Sequence, residues 1–151
     1  AETVAASARH RGAVLGEPDP VARVVDLGTI VDVLRGKLEF ESGEEGREQA
    51  VLEHLLRRAT ADTASRALGG VDVGPLVAAI EKGSPVTTGE RVPAKDVLAA
   101  LPGLPVIDAI TKRLGAHSDG QRAAAVELAL EGLYLAKRID KSSDDGETVY
   151  G

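Results

Sequence analysis

An acidic run is the densest group of potentially reactive side chains in this chain of 151 residues. Its members are Glu39, Glu41, Glu44, Glu45 and Glu48. Carboxylate oxygens suit hard cations, but a calcium loop also needs regularly spaced Asp or Asn and a fixed glycine, which this run lacks. The residues therefore favour a simpler interpretation, in which Glu44, Glu45 and Glu48 stabilise the positive end of the following helix. An acidic docking surface for a partner, or a metal site, is the alternative.

The remaining side chains with catalytic or ligand chemistry are few and scattered. The three histidines, His10, His54 and His117, include no pair four residues apart, which a helical metal site would use. The absence of cysteine excludes thiolate zinc sites and cysteine nucleophiles. Arginines could contact phosphate or acidic partners, although a solvated helix face is their ordinary role. These arginines are Arg9, Arg11, Arg57 and Arg58.

Nucleotide-binding motifs are missing as well. A P-loop has the pattern G-x-x-x-x-G-K-[ST], whose backbone amides and lysine hold the phosphates. The only Gly-Lys pair, Gly36-Lys37, is followed by Leu38, and Val31 stands where the first glycine would be. We therefore expect that this chain alone does not hydrolyse ATP. We also expect it to contain no catalytic, cofactor-binding or metal-ligating residue.

Composition narrows the class of protein further. Hydrophobic residues make up 43% of the chain, which predicts a folded domain. The net charge of −6 argues against sequence-independent binding to nucleic acid. No apolar run is long enough to span a membrane, and no basic-then-apolar leader opens the chain, so we expect a cytoplasmic protein.

Apolar spacing and glycine stops predict an all-α fold of about seven helices. One minor β element is expected near residues 85–92, and residues 37–41 alternate as a brief extended segment would. The helices are expected over about residues 2–15, 26–34, 42–68, 72–82, after Pro93, after Pro105, and over 119–139.

Two of these helices carry more specific signals. The third is predicted to start with a capping box of Ser42 and Glu45. It shows an i+4 stripe, widened by Leu52 and Leu56, that consists of Val51, Leu55, Ala59, Thr63 and Ala67. The seventh opens with Ser118 and Gln121, and its apolar residues cover more than one stripe, which predicts packing on two sides.

Three stretches resemble the C-terminal part of actinobacterial AAA+ ATPases related to the magnesium chelatase ATPase subunit and the MoxR group. They are residues 2–27 (ETVAASARHRGAVLGEPDPVARVVDL), 35–63 (RGKLEFESGEEGREQAVLEHLLRRATADT) and 129–151 (ALEGLYLAKRIDKSSDDGETVYG). The resemblance implies a partial lid-like helical segment over 1–41 and a C-terminal helical bundle over 42–140. The polar residues 141–151 are then expected to form a flexible acidic tail.

The resemblance also implies a role. The ATP-binding motifs of such proteins lie in a core that would precede residue 1, so ATP and Mg²⁺ belong to the parent protein and no catalytic residue is carried over to this chain. Such ATPases work as homo-oligomeric rings, and their partners include proteins with a von Willebrand A domain. The implied function is protein–protein interaction or ring assembly, coupled to ATP hydrolysis in the core.

Another class of function fits the same residues. The chain would then be a free-standing helical adaptor or regulatory domain with no ATPase of its own. A small enzyme that uses Glu45 and Glu48 as an acid–base pair is disfavoured, because both carboxylates would lie in a solvated first turn, without the burial that an acid–base pair needs.

Overall fold

The computed structural model describes residues 1–35, 37 and 46–151. These residues form seven α-helices, one 3₁₀ turn and three short strands. The predicted all-α class with a minor β element is confirmed. The elements are α1 (Glu2–Leu15), the 3₁₀ turn (Val24–Gly28), α2 (Thr29–Arg35), α3 (Glu48–Ala67), α4 (Gly74–Glu81), β1 (Val86–Gly89), α5 (Ala94–Ala99), α6 (Pro105–Leu114), α7 (Asp119–Leu135), β2 (Lys141–Asp144) and β3 (Glu147–Tyr150).

Helix α7 lies at the centre of the apolar core. It packs against α3, α5 and α6, and its Val126 and Leu130 are fully buried. The neighbouring helices supply the rest of the core, which includes Leu76 of α4, Val97 of α5 and Ile110 of α6. The predicted packing of this helix on two sides is confirmed.

The crossing of α3 and α7 depends on a missing side chain. A Cβ atom added at Gly132 would lie only 2.6 Å from the Cβ atom of Ala64. Two helices approach this closely only where small residues face each other. The pair Ala64 and Gly132 therefore fixes where α3 rests on α7.

The packed face of α3 is centred on the row of Leu52 and Leu56, which the sequence analysis placed at the edge of the predicted stripe, and not on the row of Leu55. Leu52 and Ala64 are 4% and 2% exposed, and Thr60 is buried with them, whereas Leu55 is 54% exposed. The buried row is the adjacent i+4 row, because it brings Ala64 against Gly132. The helix begins at Glu48, and the predicted capping box at residues 42 and 45 lies outside the described residues.

The chain's last described residues correct the prediction of a flexible tail. Strands β2 and β3 form a hairpin, and β3 also pairs with β1, so the antiparallel order is β1-β3-β2. The strand predicted near 85–92 is β1. Asp145 and Gly146 turn the hairpin with positive φ angles, and Tyr150 is only 1% exposed. Burial of this ring gives an otherwise polar segment its place in the fold.

The first segment, which we define as residues 1–35, packs on the rest of the chain. Its 3₁₀ turn contacts α7, and α2 contacts α3. The single helix predicted over 26–34 is divided into the 3₁₀ turn and α2. In the described part of the chain, no helix has the length and apolar character needed to cross a membrane.

Candidate functional site

Five charged side chains meet where the first segment contacts the bundle. This charged cluster consists of Arg11, Glu17, Arg23, Asp26 and Glu127. Arg23, Asp26 and Glu127 are at most 2% exposed. Charges buried to this degree are stable only when they are paired and hydrogen-bonded. Their pairing therefore shows which parts of the chain must come together.

Arg23 and Glu127 form the link between the first segment and α7. The Arg23 guanidinium donates to the Glu127 carboxylate from Nε, at 2.9 Å, and again from Nη2. Its Nη1 donates to the Val92 carbonyl oxygen at 2.6 Å, and the Val24 amide donates to Glu127 Oε2 at 3.3 Å. Burial raises the pKa of Glu127, although the hydrogen bonds and positive charge of Arg23 oppose that rise.

Arg11 holds the first segment together internally. Its Nη1 donates to Glu17 at 2.9 Å, and its Nη2 donates to Asp26 at 3.0 Å and to the Val21 carbonyl oxygen at 2.7 Å. Asp26 also accepts from the Arg23 amide at 2.8 Å, which shapes the start of the 3₁₀ turn. These ion pairs and hydrogen bonds hold the loop that follows α1 against that helix.

Glu17 extends this cluster to α5. Its Oε1 accepts a hydrogen bond from the Ala94 amide at 2.7 Å, at the N-terminus of that helix. A carboxylate is favoured there by the exposed backbone donors of the first turn. The first segment therefore meets the bundle through carboxylates at two helices, α5 and α7.

A second group of polar and aromatic side chains, the C-terminal cluster, lies one turn further along α7, and its Glu131 and Tyr150 are buried. It consists of Glu131, Tyr134, Lys141 and Tyr150. The Tyr150 hydroxyl donates to Glu131 Oε2 at 2.6 Å, and Lys141 Nζ donates to the same oxygen at 2.7 Å. Lys141 Nζ also lies 5.0 Å from the centre of the Tyr134 ring. Burial, reinforced by the negative charge of Glu131, raises the pKa of Tyr150, so its hydroxyl remains a donor.

The polar side chains of both clusters serve to hold separate segments of the chain together. Both oxygens of Glu127 already accept hydrogen bonds, and Glu131 Oε2 accepts two. Each carboxylate holds a different part of the chain against α7. Among the described residues, no three His, Cys, Asp or Glu side chains are arranged as metal ligands.

The residues that the sequence singled out lie elsewhere. Glu48 is half-buried in the first turn of α3, and Glu39, Glu41, Glu44 and Glu45 lie outside the described residues, so the acidic partner surface stays a prediction. The exposed histidines and arginines do not come together as a site in the described chain. They are His10, His54, His117, Arg9, Arg57 and Arg58.

Arg11 differs from the other predicted arginines, because it is 4% exposed and does not lie on a solvated face. Arg23, Glu127 and Glu131 were not predicted from the sequence as members of a site. A signal for the two glutamates was present, since they stand four residues apart within an otherwise apolar helix face. No local signal relates Arg23 to Glu127.

Comparison of this chain with protein-family models, with curated proteins and with solved structures gives no match.

Proposed function

We propose that this chain is the non-catalytic C-terminal helical region of a magnesium-chelatase-like AAA+ ATPase. In this proposal the first segment is part of the ATPase lid, and α3–α7 form a helical bundle attached to it. The chain acts in protein–protein interaction or ring assembly, while ATP and Mg²⁺ bind in the core of the parent protein. The three stretches that resemble this group of ATPases are the reason for naming the family.

The observation that carries the proposed role is the buried pair of Arg23 and Glu127. A lid moves as a body when nucleotide binds or leaves. Because Arg23 belongs to the first segment and Glu127 to the central helix of the bundle, a movement of the first segment would carry the bundle with it. The contact of Glu17 with α5 supports the same conclusion.

The implied partners follow from this arrangement. The first partner is the AAA+ core of the same polypeptide, and the ring would contain several copies of it in the cytoplasm. A protein with a von Willebrand A domain is the proposed client, and the bundle is the surface that reaches it. The acidic run that ends at Glu48 is the candidate contact surface of the bundle.

The first experiment measures the mass of the native protein in its source cell, with an antibody raised against this chain. We expect a band of about 50 kDa, the rough sum of an ATPase core and this region. A single band at the 15.6 kDa of this chain would contradict the proposal. That result would favour the free-standing adaptor.

The second experiment tests the coupling in the full-length protein. Arg23→Met should leave nucleotide binding by the core intact and reduce ring assembly or partner-stimulated ATP hydrolysis. Arg35→Met is the matched control, because Arg35 belongs to the same segment but its side chain is 48% exposed and meets the bundle through an exposed hydrogen bond to Gln49 of α3. Equal assembly and stimulation in both variants would contradict the proposed role of the Arg23–Glu127 contact.

A further inference from the structure

The two ends of the described chain are docked on the same face of α7. Glu127 holds the first segment through Arg23, and Glu131 holds the hairpin of β2 and β3 through Lys141 and Tyr150. Residues four apart on a helix have Cβ atoms about 5–6 Å from each other. The two side chains therefore start from neighbouring positions on one face of α7, and both residues are buried, at 1% and 7% exposure.

We propose that Glu127 and Glu131 couple the docking of the first segment to the docking of the C-terminal hairpin, so that release of either one loosens the other. The contacts of Arg23, Lys141 and Tyr150 that produce this coupling do not depend on whether the chain belongs to an ATPase.

The charges around the two carboxylates balance only when both ends are docked. Glu127 faces Arg23 from the first segment, with Arg11 of α1 further away. Glu131 faces Lys141 of β2 and the Tyr150 hydroxyl of β3. After burial and the charge of Glu131, the negative charge of Glu127 also contributes to the raised pKa of the Tyr150 hydroxyl, so the charge of one cluster acts on a member of the other.

Removal of one cation upsets this balance. Without Arg23, the buried carboxylate of Glu127 has lost its nearest cation, and the like charge of Glu131 belongs to a residue one turn away. A rearrangement that relieves the repulsion between the two anions strains the charge-assisted bonds that Glu131 accepts from Lys141 and Tyr150. The hairpin then opens more often, although nothing in it has been changed.

Amide hydrogen exchange of the isolated chain tests this coupling. In Arg23→Met, the amides of residues 141–151 should exchange at least about fivefold faster than in the wild type, the lower end of typical coupling between two sites. In the double variant R23M/E127Q the surplus charge is gone, and hairpin exchange should return towards the wild-type rate. Arg35→Met should leave it unchanged.

The reverse direction gives an independent measurement, because coupling between two sites is reciprocal. Lys141→Met should speed exchange of the Val24 and Asp26 amides, and K141M/E131Q should restore it. Lys141 is partly exposed, so its replacement should disturb folding less. The variants K141M and K141M/E131Q can therefore test the coupling if Arg23→Met does not fold. Equal exchange in each single variant and its double variant, or no change in either single variant, would overturn the coupling.

Discussion

The first segment and the apolar core meet the same helix, α7, with different side chains. The first segment contributes Arg23, which is almost fully buried against Glu127. Helices α4, α5 and α6 contribute aliphatic side chains such as Val97 and Ile110. Apolar attraction has no preferred direction, whereas a buried ion pair needs both partners in one geometry. The charged cluster can therefore set the position of the first segment on α7 in a way that apolar attraction alone cannot.

The largest effect is expected from breaking the charged cluster. Arg23→Met leaves Glu127 buried without its cation, which should lower the free energy of unfolding by about 3–5 kcal/mol. The double variant R23M/E127M replaces both charges with apolar groups. Its free energy of unfolding should fall by less than that of the single variant. Urea denaturation measures both. A loss for R23M no larger than that for R35M would show that the pair does not hold the first segment.

A change in the apolar core should cost somewhat less. Leu130→Ala removes a fully buried side chain and should lower the free energy of unfolding by about 2–4 kcal/mol. Leu55→Ala makes the same chemical change at a side chain that is 54% exposed and should cost less than about 0.5 kcal/mol. If L55A lowered the free energy of unfolding as much as L130A, Leu55 would have to lie on the packed face of α3 and not on its exposed face.

The contact of α3 with α7 should be sensitive to one methyl group. Gly132→Ala places a Cβ atom against Ala64, and the strain should cost about 1–3 kcal/mol in thermal or urea unfolding. Ala64→Gly in the same chain makes room and should recover part of the loss. If the effects of G132A and A64G on the free energy of unfolding are additive, the two residues are not in contact.

The smallest effect concerns the pH dependence of the C-terminal cluster. The pKa of Tyr150 is raised above its ordinary value of 10.0 in the folded chain. Its contribution is therefore fully present below pH 10 and is lost as the pH rises further, by up to about 1.4 kcal/mol per pH unit. Above about pH 10, the free energy of unfolding of Tyr150→Phe should therefore fall less steeply with pH than that of the wild type. A parallel fall in both proteins would mean that the fold does not raise the pKa of Tyr150.

Local signals predicted the helices well where caps define them. The spacing from Glu2 to Leu15 gives the observed bounds of α1, because Gly16 ends the helix with a positive φ of 69°. The capping box of Ser118 and Gln121 is present at the start of α7. Such signals act over one turn, so the sequence contains them directly.

The charged cluster could not be predicted in the same way, because its key contact joins residues 104 positions apart. Many carboxylates could pair with Arg23, and only the packing of α7 selects Glu127. The hairpin was missed for a different reason. Its strands lack apolar alternation, and the Asp-Gly turn was the one local signal that could have revealed it.

The long separation between Arg23 and Glu127 also has a consequence for biosynthesis. A ribosome adds about 5–20 residues per second, so Arg23 is made about 5–20 s before its partner. During that interval the guanidinium has no buried carboxylate to meet and stays hydrated. The first segment is therefore expected to reach its native position late, after α7 has been completed.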